Sequence, residues 1–462
     1  MGVKTRRRPL LALLAASISL AWLFHTFWSP SSSLQSARWI QRDPFNRWDA
    51  PVAPTVTVTV QVPEPTPPLL MNDVPTGSFR DNLRPELKYI SGWPTSGWNN
   101  QVMEYMNLIY LGLITERIPI LAPFARKKRH GVKSEEFVPF SRLFNISRMQ
   151  EEVGVRVLEW GEVKDLTSAG TLDGIGCWSM ELGVWNASWR SLRPHNLKLD
   201  ISYTPTPEWV KLVPGDYRDQ QATFWSLAAL AFEDTRPANV DLSPEPGPIQ
   251  QSIYWPDERL LCFDNMYFIC AHQAWEFDKQ YSPAWRFVGQ YMRFSSEMQD
   301  IADECIRKAL GVEEHEEIPL YIAIHVRRGD FKNACNTKEV TVKPEDCLAP
   351  LSAYAQRVEE VREEIFKTKG MRIGDGDVIM TTDETDEGWW TEVLQLGWKR
   401  VDHGDVLARH GPWYPTFVDG VIQGGGLGFV GTHRSTVSIL ADRRVLEWQK
   451  GATRTVYWGR NH

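Results

Sequence analysis

Two adjacent arginines follow an apolar run in the segment His325-Val-Arg-Arg-Gly-Asp330. The run itself, residues 320–326, is typical of a buried strand. Ligands of open α/β sheets bind at the carboxyl ends of the strands, and the permanently charged fork of an arginine matches phosphate oxygens. The segment therefore predicts a site for a phosphate-bearing ligand. The alternative interpretation is a surface Arg–Asp pair that closes the strand.

The same segment resembles the His-x-Arg-Arg-x-Asp motif of the GDP-fucose-dependent fucosyltransferases, which include the protein O-fucosyltransferases. Three more segments are similar to that family in the expected order: Gly97-Trp-Asn-Asn-Gln101 to its Gly-x-x-Asn-Gln loop, Thr381-Thr-Asp-Glu384 to its Thr-Asp strand end, and Phe429–Ser438 to its late Phe-x-Gly segment. The resemblance implies an α/β enzyme with two Rossmann-like domains facing across a cleft, of the GT-B type. It also implies inverting transfer of fucose from GDP-fucose to a protein or glycan hydroxyl, with no metal or other cofactor.

The resemblance implies a role for each matching residue. Arg327 would be catalytic, binding the β-phosphate and stabilising charge on the departing GDP, which for one good donor is worth about 3–4 kcal/mol. Asn100 would be the second catalytic residue, near the fucose and the acceptor. The substrate-binding residues would be Gly97, Asn99, His325, Arg328, Asp330, Asp383, Ser435, Thr436 and Ser438.

Three of these residues also have plain structural interpretations. Asn100 is equally typical of the first turn of a helix, and Ser435 of an N-cap whose hydroxyl serves only the backbone. Asp383 is equally typical of a turn after a strand. These alternatives stay open at the level of the sequence.

Two departures from the family pattern affect the chemistry. An acidic residue usually stands just before the Phe-x-Gly segment, where this chain has Gly426-Leu-Gly428. Some relatives carry a glutamate general base in the loop that is here Thr95–Asn100. The base is therefore unassigned, with Asp383 or Glu384 as substitutes. Two other functions stay open: a catalytically silent lumenal protein that binds nucleotide sugars or acts as a scaffold, and a transferase using another nucleotide sugar.

Strand-like and helix-like patterns alternate along the chain, which predicts parallel sheets with right-handed crossovers. We expect an acceptor-side half at 79–312 and a nucleotide-sugar half at 313–462. The predicted strands are 87–91, 118–122, 320–326, 377–381, 399–402 and 428–432. The predicted helices are 99–115, 283–310, 350–369, one through Trp389 and Leu394, and 435–448.

The N-terminus has the pattern of a membrane anchor. Residues 10–28 carry no charged side chain, and as a helix they are long enough to cross a bilayer. Four basic residues precede them, so the positive-inside rule places the tail 1–9 in the cytosol. The sequence thus predicts a single-pass type II protein of the Golgi or endoplasmic reticulum, with a Pro/Ser/Thr-rich stem at 29–78. A cleaved signal peptide is the alternative.

Further features fit a lumenal location. Asn145 and Asn186 begin N-glycosylation sequons. Six cysteines predict disulfides, with Cys262–Cys270 and Cys335–Cys347 as the local pairs expected first. The formal net charge is −7, which argues against a nucleic-acid partner. Among the tryptophans, Trp93 and Trp98 lie close to the predicted Asn100 loop and are the expected acceptor contacts.

Overall fold

The computed structural model describes residues 69–125, 137–167, 171–185, 193–235, 243–256, 259–334 and 347–459. The predicted tail, the predicted anchor, most of the predicted stem and the sequon residue Asn186 lie outside these residues. Within the described ranges, no helix is both long enough and apolar enough to span a bilayer. The domain bounds 79–312 and 313–462 stay a prediction.

The first half of the chain builds a parallel sheet. Its strands are β1 (Tyr89–Gly92), β2 (Ile118–Leu121), β5 (Leu158–Glu159), β6 (Asp173–Ser179), β7 (Leu199–Pro205) and β9 (Leu260–Phe263). Within the described residues they lie in the order β5–β2–β1–β9–β6–β7. All residues of β1, β6 and β9 are buried, as expected for parallel strands covered on both faces.

Among the described residues of the first half, four short strands pair outside this sheet. They are β3 (Phe124–Ala125) paired antiparallel with β4 (Phe137–Val138), and β8 (Ala222–Thr223) paired parallel with β10 (Ile269–Cys270).

The last third of the chain builds a second parallel sheet. Its strands are β11 (Ile322–Val326), β12 (Val378–Thr382), β13 (Lys399–Arg400), β14 (Gly428–Thr432) and β15 (Ala452–Val456). They lie in the order β13–β12–β11–β14–β15, the doubly wound order in which the strand sequence reverses between β11 and β14. The carboxyl ends of those two strands are therefore where a ligand is expected. The predicted α/β fold with parallel sheets is confirmed.

Helices connect the strands. Those before β11 are α1 (Phe79–Asn82), α2 (Trp98–Ile114), α3 (Phe140–Leu143), α4 (Ile146–Val153), α5 (Trp160–Val163), α6 (Met180–Gly183), α7 (Arg193–Asn196), α8 (Phe224–Leu230), α9 (Pro283–Phe287) and α10 (Ser296–Leu310). Those after β11 are α11 (Phe331–Ala334), α12 (Leu351–Lys369), α13 (Glu387–Gln395), α14 (Gly404–His410), α15 (Tyr414–Gly425) and α16 (Thr436–Arg444), the last continued by a π-helix at Val445–Gln449. Short 3₁₀ turns lie at Glu208–Val210, Glu233–Thr235, Glu276–Asp278, Gly289–Tyr291 and Asp375–Asp377.

The predicted long helix 283–310 is wrong. The structure divides it into α9, a 3₁₀ turn and α10. At the break, Gly289 packs so closely that a Cβ there would lie 2.2 Å from the Sδ of Met106. Ser295 then starts α10 by accepting a hydrogen bond from the backbone N–H of Met298. The apolar periodicity continues through the break, which is why the sequence pattern missed it.

The predicted Cys262–Cys270 disulfide is also wrong. Cys262 of β9 is bonded to Cys177 of β6, while Cys270 is a free, buried thiol. These two strands are neighbours in the sheet, and the Cα atoms of the bonded pair are 4.6 Å apart. Spacing along the chain favours local pairs, whereas here sheet topology brings together cysteines separated by 85 residues. Cys335 lies outside the described residues, so Cys335–Cys347 stays a prediction.

Candidate functional site

The loop after β11 is folded around the carboxylate of Asp383, at the end of β12. Asp383 Oδ1 accepts hydrogen bonds from the backbone N–H groups of Arg328 (2.8 Å) and Gly329 (3.0 Å). Asp383 Oδ2 lies 3.0 Å from Arg327 Nη1. A Cβ on Gly329 would lie 2.6 Å from Asp383 Oδ2, so glycine is required for this approach. The structure therefore brings Asp383 and Arg327 together, with Asp383 fixing the arginine loop.

Arg327 has a second carboxylate partner. Its Nε lies 2.8 Å from Asp330 Oδ1, and the side chain of Asp330 is half exposed. The side chain of Arg327 is 28% exposed, so the guanidinium remains reachable from solvent. An exposed ion pair of this kind is worth little, so a phosphate can replace Asp330 at small cost.

Arg328 is held differently from Arg327. Its Nε lies 2.8 Å from Glu384 Oε2, which also pairs with Lys332 Nζ at 3.0 Å. Burial opposes ionisation of Glu384, but the hydrogen bonds from Lys332 and Arg328 outweigh it and lower the pKa of Glu384 to about 2. So low a pKa makes Glu384 a poor proton acceptor near neutral pH. The arrangement suits an ion-pair role for Glu384 and does not favour it as the general base.

Thr432, the last residue of β14, connects the two strand ends. Its hydroxyl donates to the carbonyl of His325 (2.9 Å), accepts from the backbone N–H of Arg327 (3.0 Å) and lies 2.8 Å from the hydroxyl of Tyr354. A hydroxyl has one donor and two acceptor sites, so these three contacts leave the Thr432 hydroxyl little capacity for a ligand. Sequence reasoning missed Thr432, whose only signal was its position at a strand end.

His325 and Ser438 form a buried pair beneath this loop. The Oγ of Ser438 lies 2.9 Å from His325 Nδ1 and accepts from the N–H of Thr432 at 2.9 Å. Burial, and then the charge of Arg327, lowers the pKa of His325 to about 3, so the imidazole is neutral at neutral pH. In this arrangement both predicted substrate-binding residues face protein atoms and support the loop.

The N-termini of helices α2 and α16 meet beside the loop that follows β11. Gly97 is the N-cap of α2 and Ser435 is the N-cap of α16, and neither provides a side-chain cap hydrogen bond. Thr436 Oγ1 donates a hydrogen bond of 2.8 Å to Asn100 Oδ1, which joins the first turns of the two helices. A helix N-terminus carries a partial positive charge and free N–H groups, and so favours an anion. The structure thus brings together Asn100 and Thr436, which are 336 positions apart in the sequence.

The tryptophan beside Asn100 is part of the core. Trp98 is 4% exposed and its ring lies 5.4 Å from the ring of Phe417. A Cβ on Gly420 of α15 would lie 2.3 Å from the Trp98 ring, and the Arg444 guanidinium lies over the same ring at 5.7 Å. Trp98 therefore attaches the first turn of α2, which contains Asn100, to α15 and α16.

Both predicted acceptor contacts are consequently wrong. Trp93 is fully buried, with its ring 5.6 Å from that of Trp160. The rings of Trp93 and Trp98 have almost no solvent-accessible surface on which a sugar could stack. The neighbouring residue Asn99 is also buried, and its Oδ1 has no hydrogen-bond partner among the described residues.

A cavity of about 530 Å³ lies at the carboxyl ends of β12 and β13. Its walls include Thr382, Glu384 and a pair that sequence reasoning missed, His403 and Asp419. His403 Nε2 lies 2.9 Å from Asp419 Oδ1, and His403 Nδ1 is buried without a partner among the described residues. Burial disfavours protonation of His403, but the Asp419 carboxylate outweighs it and raises the pKa of His403. Because His403 and Asp419 are single residues on separate segments, the sequence contains no motif that would have identified them.

Two remaining predictions concern other sites. The described ranges contain no group of three or more His, Cys, Asp or Glu side chains placed to hold a metal ion. Asn145 is exposed and caps α4, its Oδ1 accepting from the N–H of Arg148 at 3.0 Å. Glycosylation at Asn145 and Asn186 stays a prediction.

Comparison with known proteins gives one family. The sequence matches the family described as GDP-fucose protein O-fucosyltransferase over residues 89–371. Among solved structures, POFUT1 in complex with GDP-fucose is similar at 15% identity and a TM-score of 0.49, covering 81% of this chain and 98% of that one. Fucosyltransferase NodZ from Bradyrhizobium is similar at 13% identity and a TM-score of 0.35, covering 77% and 92%. No curated protein sequence matches.

Proposed function

The chain belongs to the GDP-fucose protein O-fucosyltransferase family and is assigned on that basis as a GDP-fucose-dependent fucosyltransferase; we propose that it transfers fucose, with inversion and without a metal ion, to a hydroxyl of a protein or glycan. The observation that carries this proposal is the hydrogen bond between Asn100 and Thr436 beside the Arg327 loop. It brings together two predicted site residues that are 336 positions apart in the sequence.

The diphosphate of the donor lies between Arg327 and the N-terminus of α16. Arg327 exchanges its exposed partner Asp330 for the β-phosphate, while Asp383 keeps the guanidinium oriented. The free N–H groups at the start of α16 face the same phosphates. As the bond from fucose to phosphate breaks, negative charge develops on GDP, and both groups stabilise it. This positive charge supports the proposal that no metal ion is needed.

The guanine lies in the cavity lined by His403 and Asp419. A cavity of about 530 Å³ holds a ligand of nucleotide size. Guanine presents an N–H and an NH₂ donor side by side, which one carboxylate accepts. Asp419 provides that carboxylate, in place of the acid that the family has near Gly426. At Gly426 itself a Cβ would lie 2.9 Å from the carbonyl oxygen of Gly428, so no side chain fits there.

The location we propose follows from the N-terminus. An uncharged segment at 10–28 behind Lys4 and Arg6–Arg8 supports a type II anchor in the Golgi or endoplasmic reticulum membrane. The half 79–312 would bind the acceptor and the half 313–462 the nucleotide sugar, in a GT-B arrangement. The acceptor meets the donor from the side of the half 79–312.

Calorimetric titration of the full chain with GDP-fucose tests this proposal. We expect binding of GDP and GDP-fucose, and at least 10-fold weaker binding of UDP sugars. Asp419→Asn should weaken GDP binding at least 10-fold, because a neutral amide cannot accept from two guanine donors at once. The control is Asp303→Asn on α10. Absence of GDP-fucose binding contradicts the proposal, and binding without release of GDP favours a catalytically silent protein.

A further inference from the structure

A second cavity of about 240 Å³ lies beside the loop that follows β14. Ser438 is the predicted substrate-binding residue in its lining, and the residues of the opposite wall have no predicted role. Gly431–Arg434 and Tyr457, from the ends of β14 and β15, form one wall. The turn Asp278–Gln280, which precedes α9 in the first half of the chain, forms the opposite wall. The cavity therefore lies beside the N-terminus of α16 and is lined by residues from both halves of the sequence.

The turn that carries Asp278 is fastened to α16. The buried side chain of Arg443 donates from Nη2 to the carbonyl of Lys279, and its guanidinium lies over the ring of Trp285 at 5.4 Å. The backbone N–H of Asp278 donates to the carbonyl of Trp275 at 3.0 Å. Asp278 is thus held at a fixed place relative to the helix whose first turn faces the phosphates.

The carboxylate of Asp278 is available for chemistry. Among the described residues it makes no side-chain hydrogen bond and no ion pair within 4.0 Å. It is solvent-accessible, yet desolvation by the surrounding protein raises its pKa, against the opposing charges of Arg443, Lys279 and Arg434. The titratable or charged groups facing it from other elements are Tyr267, His433, Arg434, Asp442 and Arg443.

We propose that Asp278 is the general base that accepts the proton of the acceptor hydroxyl, with the acceptor entering through this second cavity. The inference rests on the proposed fucose transfer. As the hydroxyl oxygen forms its bond to the anomeric carbon of fucose, its proton passes to the Asp278 carboxylate. The bond from that carbon to the β-phosphate oxygen breaks, and GDP leaves with the electron pair. Atoms and charge balance without any further reactant.

His433 is the other proton acceptor in the cavity, and the structure favours it less. Its ring lies 4.5 Å from that of Tyr457. Burial, and then the charge of Arg434, lowers the pKa of His433, which moves it away from neutral pH and makes it a weaker base. The shift of Asp278 is in the opposite direction and strengthens it as a base. Protonation of His433 would also place its positive charge beside that of Arg434.

The test uses the full chain, with water as the probe acceptor and GDP release from GDP-fucose as the readout. Asp278→Asn should lower the turnover rate about 100-fold or more, within the range that a general base contributes, while the calorimetric Kd for GDP-fucose stays within about 2-fold. Asp278→Glu should recover part of the rate. The matched control is Asp300→Asn, an exposed aspartate of α10, which should leave the rate unchanged.

The pH profile separates a base from a structural role. Wild-type turnover should fall as the pH drops through the raised pKa of Asp278, and Asp278→Asn should lose that acidic limb. A turnover rate of Asp278→Asn within about 3-fold of wild type overturns the inference and leaves fucose transfer standing. The inference is also overturned if His433→Gln loses the acidic limb of the pH profile while Asp278→Asn keeps it. A wild-type chain that does not bind GDP-fucose contradicts the proposed function itself.

Discussion

Thr436 Oγ1 lies 2.8 Å from Asn100 Oδ1, although 336 residues separate the two along the chain. The contact connects the first turn of α2 with the first turn of α16, and so joins the helix that follows β1 to the helix that follows β14. Asn100 is thereby placed where two N-termini favour an anion. A residue predicted to be near the sugar is thus held by a residue predicted to be near the phosphate.

Removing this hydrogen bond should affect turnover more than folding. Asn100→Ala and Thr436→Val should each lower the rate of GDP release from GDP-fucose about 10-fold or more. The double variant should be less impaired than the product of the two effects, with a coupling energy of about 0.5–1.5 kcal/mol. Thr368→Val, whose hydroxyl bonds only within α12, is the control. Fully additive effects would show that the contact has no role in catalysis.

Trp98 should be a stability residue and, through its position, a determinant of donor binding. Trp98→Ala should lower the free energy of unfolding by about 3–5 kcal/mol, because a large buried ring leaves a cavity. It should also weaken GDP-fucose binding, since the first turn of α2, which contains Asn100, loses its attachment to Gly420 and Arg444. Urea unfolding and calorimetry measure the two effects. Trp225→Ala is the control, since this ring is 56% exposed and its loss should cost less than about 0.5 kcal/mol.

The buried His325 should make folding sensitive to acid. Its pKa is lowered from 6.5 to about 3, so below pH 6.5 the unfolded chain binds a proton that the folded chain does not. The stabilising contribution is therefore complete above pH 6.5 and is lost as the pH falls toward 3, by up to about 1.4 kcal/mol per pH unit.

His325→Gln isolates this contribution. The stability difference between wild type and His325→Gln should shrink between pH 7.5 and pH 5, measured by urea unfolding. Asp264 has a pKa raised to about 6 by burial and contributes in the opposite direction, but it is common to both proteins and cancels. A difference that is constant with pH would contradict the neutral, buried imidazole.

The disulfide of the first sheet should be a major source of stability. Cys177 and Cys262 close a loop of 85 residues, for which the chain-entropy relation gives about 4–5 kcal/mol at 25 °C. The double variant Cys177→Ser/Cys262→Ser should lose much of this in urea unfolding, whereas Cys270→Ser should not imitate it, since Cys270 is a free thiol. Peptide mapping of the oxidised chain that finds Cys262 bonded to Cys270 would contradict the structure.

The sequence predicted best where local pattern and site coincide. The run before Arg327 is a buried strand, as expected for a parallel strand covered on both faces. Asp383 lies 3.0 Å from Arg327 because the two residues follow neighbouring strands of the same sheet. Predicting that such strand-end residues lie close together requires only the order of the strands in the sheet. The alternation of strands and helices along the chain largely determines that order.

What the sequence could not predict depends on contacts between distant segments. The partner of Cys262 is decided by β6 lying beside β9, and β6 lies in a part of the chain where no strand is predicted. The prediction that Trp98 contacts the acceptor is wrong because nothing local in the sequence indicates that Gly420 makes room for its ring. His403 and Asp419 meet only after α14 and α15 fold, and the turn that contains Asp278 is attached to α16 by the hydrogen bond from Arg443 to the carbonyl of Lys279.

The most direct test of fucose transfer at this site is GDP release from GDP-fucose by the full chain and by Arg327→Ala. We expect at least a 100-fold loss of turnover in Arg327→Ala, because the guanidinium stabilises the charge that develops on GDP. Arg409→Ala is the matched control, an arginine whose Nη2 pairs with Glu304 at 2.8 Å on the surface, and it should behave as wild type. Turnover by Arg327→Ala within about 3-fold of the control would show that Arg327 does not stabilise the leaving GDP.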